Sequence, residues 1–191
     1  MHNEIHHVVD IETLATTEDA LVLSIGLAVV AVDGADIGTI FSAEWRIGDD
    51  SVQQGRRIEY DTVKWWATQC EHAARAQTFG RSQTSVISAF RGLLDAVEPA
   101  ENYFIWGNAP DFDMRILRHL EKSFGGVGYL ASSGRSLDDD AVFPYWTWRD
   151  VRTARMAMPD KLPRYGIEHT AIADAEYEAE CVVEFLKRRS L

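Results

Sequence analysis

This chain has few of the features that would make its class easy to read. It has only two cysteines in 191 residues, Cys70 and Cys181. They lack metal-ligand spacing and are too few for a disulfide framework, so both read as plain core or near-surface thiols. No proline-rich or glycine/serine-rich linker divides the sequence, and no internal repeat is visible, so we expect one domain over 1–191. No apolar run is long enough for a membrane span, which needs about 20 residues; the longest, Leu21 to Val32, also holds Ser24. The amino terminus, MHNEIHH, has neither a basic segment nor an apolar signal core, which points to a cytoplasmic protein.

Basic residues are scarce as well. Nineteen Lys and Arg face 30 Asp and Glu, a formal charge of −11. That balance excludes a general nucleic-acid coat, which needs a basic surface to displace counterions, and an anionic-membrane binder. It leaves open an enzyme that meets phosphate through metal ions. His2, His6 and His7 cluster in sequence, but they lie at a terminus entering a strand and are not read as a metal site.

The composition itself is that of a globular domain, 46% apolar and 26% charged. Residues 5–10 (IHHVVD) read as a strand. Residues 21–32 are almost continuously apolar, as in a strand buried on both faces, and 39–47 as a more polar third strand. The Asp33-Gly34 connection favours an antiparallel hairpin between the latter two. Helices are expected over 61–70 and 82–97 (the second capped by Ser82), then a short aromatic strand over 103–107 and a helix over 112–124. A loop rich in Gly, Ser and Asp follows over 125–142, expected to be mobile. The remainder is an extended FPYWTW segment, a helix over 150–158 and a final helix over 171–188. Strands followed by interleaved helices and strands indicate an α/β domain with a mixed sheet.

Four acids stand where stability alone would not put them. Asp10 and Glu12, in VVDIET, share one face of a strand, with Val9 and Ile11 on the other. Two adjacent carboxylates raise each other's pKa unless a cation lies between them. Asp113 shares its helical stripe with Ile116, Leu117, Leu120 and Phe124, whereas Asp111 points away and reads as a cap or first-turn acid. Asp174 heads a stripe of Tyr177, Cys181 and Phe185; Glu178 is the next acid in phase, and Glu176, Glu180 and Glu184 form a solvated face. His169 stands just ahead of this last helix. Each feature alone has a bland reading: a solvated strand end, a buried ion pair, a structural histidine. Together, hard oxygen ligands without cysteine suit Mg²⁺ or Mn²⁺. Two such ions suit a phosphoryl displacement, with the imidazole as base toward water.

These residues resemble the DEDDh (DnaQ-like) 3′–5′ exonucleases. The motifs stand in that family's order: Asp10-Ile11-Glu12-Thr13, Phe112-Asp113, then His169 and Asp174 at the H-x₄-D spacing. Asp61-Thr62-Val63-Lys64-Trp65-Trp66, Trp106-Gly107-Asn108 and Arg149-Asp150-Val151-Arg152-Thr153 are similar to the branch of small phage-type exodeoxyribonucleases and bacterial exoribonucleases.

The resemblance spans Val8 to Leu186 and implies a ribonuclease H-like fold: a five-stranded mixed sheet, order 3-2-1-4-5, strand 2 antiparallel. It implies that Asp10, Glu12 and Asp174 hold a first ion, that Asp10 and Asp113 hold a second, and that His169 is the general base. Thr13, Leu14, Asn108 and Phe112 are implied to contact substrate, a single-stranded DNA or RNA 3′ end, and the protein is expected to be a homodimer. The alternative is a catalytically inactive ribonuclease H-like binding module.

The chain departs from the branch at Ala109, where glycine is usual, and at Asp111, usually uncharged. It also has a longer, acidic 125–142 stretch and a shorter segment before His169, carrying Lys161, Arg164 and Tyr165. Neighbouring Trp65 and Trp66 cannot both face one core from a helix, so one is expected in the core and the other over a sheet edge or subunit interface. Lys187, Arg188 and Arg189 complement the dipole at the end of the last helix.

Overall fold

Val8 and Val9 are fully buried on opposite faces of the strand in which they lie, which sets the plan of the molecule: a sheet covered on both sides. A computed structural model describes residues 4–48, 53–69, 83–97, 103–125, 144–158 and 161–189. The strands are β1 (Glu4–Thr13), β2 (Val22–Asp33), β3 (Asp36–Ile47), β4 (Gln83–Thr84), β5 (Tyr103–Gly107) and β6 (Trp148–Asp150). The helices are α1 (Tyr60–Thr68), α2 (Val86–Ala96), α3 (Pro110–Leu120), α4 (Val151–Met156) and α5 (Ala171–Arg189).

The sheet order is β4-β3-β2-β1-β5-β6. β2 runs antiparallel to both β1 and β3, whereas β5 is parallel to β1 and to β6. The expected five-strand order is thus present as β3-β2-β1-β5-β6. The expected count needs correction, because β4 adds a sixth strand by pairing in parallel with Arg46 and Ile47. A two-residue edge strand has no alternation by which a sequence could announce it. The same two residues correct the start of the next helix. Gln83 and Thr84 are extended, so α2 begins at Val86 and its cap is Ser85, whose side chain accepts from Ser88 N at 3.1 Å, rather than Ser82.

Elsewhere local chemistry sets the boundaries. Gly34, at φ 62°, makes the β2–β3 turn, where Asp33 pairs with Asp36. Proline at the first position of α3 suits a helix start, where its missing N–H costs nothing. Past Leu120 that helix widens into a π turn over Glu121–Gly125. Asp150 caps α4 by accepting from Arg152 N at 3.0 Å and Thr153 N at 3.2 Å.

One core lies between the sheet and helices α2 and α3, where Val9, Ile11, Ile25 and Leu27 meet Phe90, Leu93, Met114 and Leu117. The other lies under α4 and α5, where Val8, Ala28 and Val30 meet Val151, Tyr177, Cys181 and Val182. No helix among the described residues is long and apolar enough to cross a membrane. Cys181 is buried; Cys70 lies outside the described residues, as does the 125–142 stretch beyond Gly125.

Candidate active site

β1 runs three residues further than the 5–10 read from sequence, to Thr13, so Glu12 as well as Asp10 lies within the central strand. They face the α5 side of the sheet. A shift of register between Glu12 and Thr13 ends the regular pairing with β2. Thr13 is then held from two sides: its Oγ1 donates to Ala15 O at 2.6 Å, and its carbonyl accepts from Trp66 Nε1 at 2.8 Å.

Asp113 comes in from the first turn of α3. It is 3% exposed, and a β-carbon on Gly107 would stand 2.9 Å from its Oδ2, so the glycine ending β5 leaves room for the carboxylate. Asp174 comes from the first turn of α5 and accepts from His169 N at 3.1 Å and from Arg164 Nη2. His169 adopts φ 62°, a left-handed conformation uncommon outside glycine, which turns the chain just before the helix. One ligand atom each from Glu12, His169 and Asp174 lies within 4.8 Å of the others.

The electrostatics are those of acids without enough counter-charge. Burial, reinforced by Glu12, Glu178, Asp113 and Asp174, pushes the Asp10 carboxyl well above its ordinary range. Burial and the charges of Asp174 and Asp113 raise Glu12 to about 8, with Arg164 pulling the other way. Burial raises Asp113 to about 7 against the pull of backbone groups at Ala109 and Ile11. Asp174 is raised by burial, with Arg164 opposing. Asp10 Oδ2 is sealed from solvent and has no hydrogen-bond partner among the described residues.

Beside Glu12 opens a cavity of about 860 Å³, lined among others by Thr13, Glu59, Tyr60, Trp65 and Phe112. Two of the four expected substrate contacts, Thr13 and Phe112, therefore line it. Leu14 and Asn108 do not. The backbone of Leu14 is tied to Leu21 and Glu59, and Asn108 Oδ1 accepts from Arg155 Nη2 at 3.0 Å.

Of the tryptophan pair, Trp66 is the core residue, 7% exposed. Trp65 is the exposed member of the pair, at 42%. Its ring meets that of His169 edge-on, with centroids 4.8 Å apart. Sequence reasoning missed this contact and also the rim bond between Glu59 Oε2 and Thr16, whose N and Oγ1 both lie at 2.9 Å. Separations of this size carry no local signal. Glu178, ranked behind Asp174 from sequence, is 4% exposed and belongs to the same electrostatic group.

Residues 5–186 match the 3′–5′ exoribonuclease Rv2179c-like domain. Among curated protein sequences, none matches. Among solved structures, the fold is similar to that of E. coli exonuclease I in complex with a dT13 oligonucleotide (13% identity, TM-score 0.57), over 97% of this chain and 41% of that one. The zinc-bound form of the E. coli exonuclease I–single-stranded DNA complex (11% identity, TM-score 0.60) matches over the same shares of the two chains. Cell-death related nuclease 4 (11% identity, TM-score 0.54) matches over 97% of this chain and 64% of that one. This chain thus spans about two fifths of exonuclease I and less than two thirds of the other nuclease.

Proposed function

The chain belongs to the 3′–5′ exoribonuclease Rv2179c-like family, a family of nuclease domains, and from that premise we propose a specific activity. It is a divalent-metal-dependent 3′–5′ exonuclease of the DEDDh type, which releases nucleoside 5′-monophosphates from the 3′ end of single-stranded nucleic acid, RNA foremost. The observation that carries this reading is the convergence of Asp10, Glu12 and Asp174 with His169, and of Asp113 from a second helix, at one end of the central strand.

The residues fit hard divalent cations. Their donors are carboxylate oxygens, which suit Mg²⁺ or Mn²⁺. The sealed, unpartnered Oδ2 of Asp10 and the raised carboxyls are what buried acids look like when their counter-charge is a bound cation. Two such ions would stabilise the attacking and leaving oxygens of a phosphodiester displacement. Asp10, Glu12 and Asp174 would hold one, and Asp10 with Asp113 would hold the other. His169, braced by Trp65, takes a proton from the attacking water, as an imidazole can near neutral pH.

The cavity at Thr13, Trp65 and Phe112 receives the terminal nucleotide, whose base finds aromatic faces there. With a formal charge of −11, the protein grips substrate locally, at its 3′ end, and not along an extended basic track. Its complete acid set and histidine give no support to the reading of an inactive binding module.

The test offers end-labelled poly(A), mixed-sequence RNA and single-stranded DNA to the protein with Mg²⁺ or Mn²⁺. Stepwise shortening from the 3′ end, fastest on RNA and abolished by EDTA, is expected. Intact substrates in both metals would reject the activity, and faster shortening of DNA would overturn the RNA preference.

A further inference from the structure

Glu178 follows Asp174 by one helical turn on α5, so at about 100° per residue the two carboxylates leave the helix on the same side. Its neighbours in sequence, Glu176 and Glu180, are exposed, whereas Glu178 is 4% exposed. Its Oε2 is sealed from solvent and has no hydrogen-bond partner among the described residues. A carboxylate buried to this degree normally has a cation or several donors against it, because a stranded charge loses its hydration with nothing in return.

The two arginines whose charge reaches Glu178 are engaged elsewhere. Arg155 donates to Asn108 at 3.0 Å, and Arg164 is bonded to Asp174. Glu178 instead faces acids: Asp113 and Asp174 act on it, and it acts on Asp10. Glu44, another carboxylate that acts on Glu12, also has one sealed oxygen without a partner, Oε1, but its Oε2 is paired with Arg46 Nε at 2.6 Å. Among the described residues, Asp10 Oδ2 and Glu178 Oε2 are thus sealed, unpartnered oxygens of carboxylates that act directly on each other, and neither carboxylate has an ion-pair partner such as Glu44 has in Arg46.

We propose that Glu178 is a fifth carboxylate of the metal centre and helps Asp10 and Asp113 hold the second divalent cation. This rests on the metal-dependent reading given above. It makes the centre richer in negative charge than the four acids alone. Such a centre retains its second ion at lower metal concentration, and Arg164 is left as the cation that tempers it toward a phosphate.

The experiment titrates the metal-stripped full chain with MnCl₂ alone, by calorimetry, with free Mn²⁺ followed by electron paramagnetic resonance. The wild type should take up two ions. Glu178→Gln, which keeps shape and removes charge, should weaken the weaker site at least tenfold, as is typical when a residue supporting a metal site is lost, and spare the tighter one. Glu178→Ala should do the same, which guards against a packing fault peculiar to the amide. Glu176→Gln, on the exposed face, should titrate as wild type. Without metal, Glu178→Gln should unfold no earlier than the wild type, because it loses a buried charge.

If the wild type takes up two ions and both Glu178 variants match it, this inference falls and the metal-dependent reading stands. If the wild type takes up none, that reading itself fails, and this one with it.

Discussion

Gly26 lies directly beneath the carbonyl of Ala171, so closely that a β-carbon at position 26 would overlap the carbonyl oxygen and carbon. Gly26 is also the cross-strand partner of Asp10. The missing side chain on β2 is therefore what lets the first turn of α5, with Asp174, settle onto the sheet beside the strand that carries Asp10 and Glu12.

Gly26→Ala should lift the start of α5 from the sheet. Overpacking of this kind costs about 1–3 kcal/mol, read as an earlier thermal unfolding midpoint. Nucleotide release should fall further than stability does, because Asp174 and His169 ride on the displaced segment. A variant with wild-type activity and midpoint would show that the contact does not position the site.

Asp10→Asn, Asp113→Asn and Asp174→Asn should each abolish divalent-dependent nucleotide release while leaving the circular dichroism spectrum intact. The metal-free proteins should unfold no earlier than the wild type, since each change removes a carboxylate that burial already disfavours. His169→Ala should slow turnover by about 10² or more, as expected for a lost general base. Full activity in the three Asn variants would refute the assigned acid set.

Stability of the metal-free protein should fall as pH rises from about 7, where unfolded imidazole is largely neutral. Glu12 moves from 4.5 to about 8 and Asp113 from 3.8 to about 7, and an acid with a raised value stabilises the fold only while it stays protonated. That contribution is complete below the unfolded values and is lost as pH climbs through the folded ones. His6 and His7, lowered from 6.5 to about 4 chiefly by burial, act in the opposite sense and on the acid side: their contribution is lost as pH falls from 6.5 toward 4. Unfolding midpoints measured upward from pH 7 in EDTA should decline, and saturating Mn²⁺ should remove the decline. A flat EDTA series would contradict the raised carboxyls.

Arg164 occupies the cationic role at Asp174 in the metal-free protein, its guanidinium also lying 4.9 Å from the centre of the Tyr177 ring. Arg164→Ala should free Asp174 and tighten Mn²⁺ binding several-fold in the absence of nucleic acid. Calorimetry would show it directly, and unchanged or weaker binding would mean that the arginine does not compete with the ion.

The acids could be read from sequence because each interrupts a pattern. Asp10 and Glu12 break a β-branched run, and Asp113 and Asp174 head stripes whose next members, Leu117 and Tyr177, are indeed buried. The β2–β3 hairpin was legible for the same reason, since continuous burial and a glycine turn are local signals, whereas the order of the central sheet came only from the family resemblance. What escaped depends on distant segments or on very short ones. β4 is two residues long, and its pairing moved the cap of α2 from Ser82 to Ser85. Trp65 reaches His169 only through the fold. The burial of Glu178 follows from how α5 seats on β2, which a helical wheel ranks but does not fix. Asn108 looked available because its arginine partner lies 47 residues away.

The buried carboxyls also bear on how this molecule moves in an electric field. With Asp10 and Glu178 pushed well up and Glu12 at about 8, the metal-free protein at neutral pH retains protons that its formula charge of −11 counts as lost. Loading the site exchanges those protons for divalent ions, so electrophoretic mobility should change less than the added cation charge suggests. The exchange should instead appear as acid released into a weakly buffered solution.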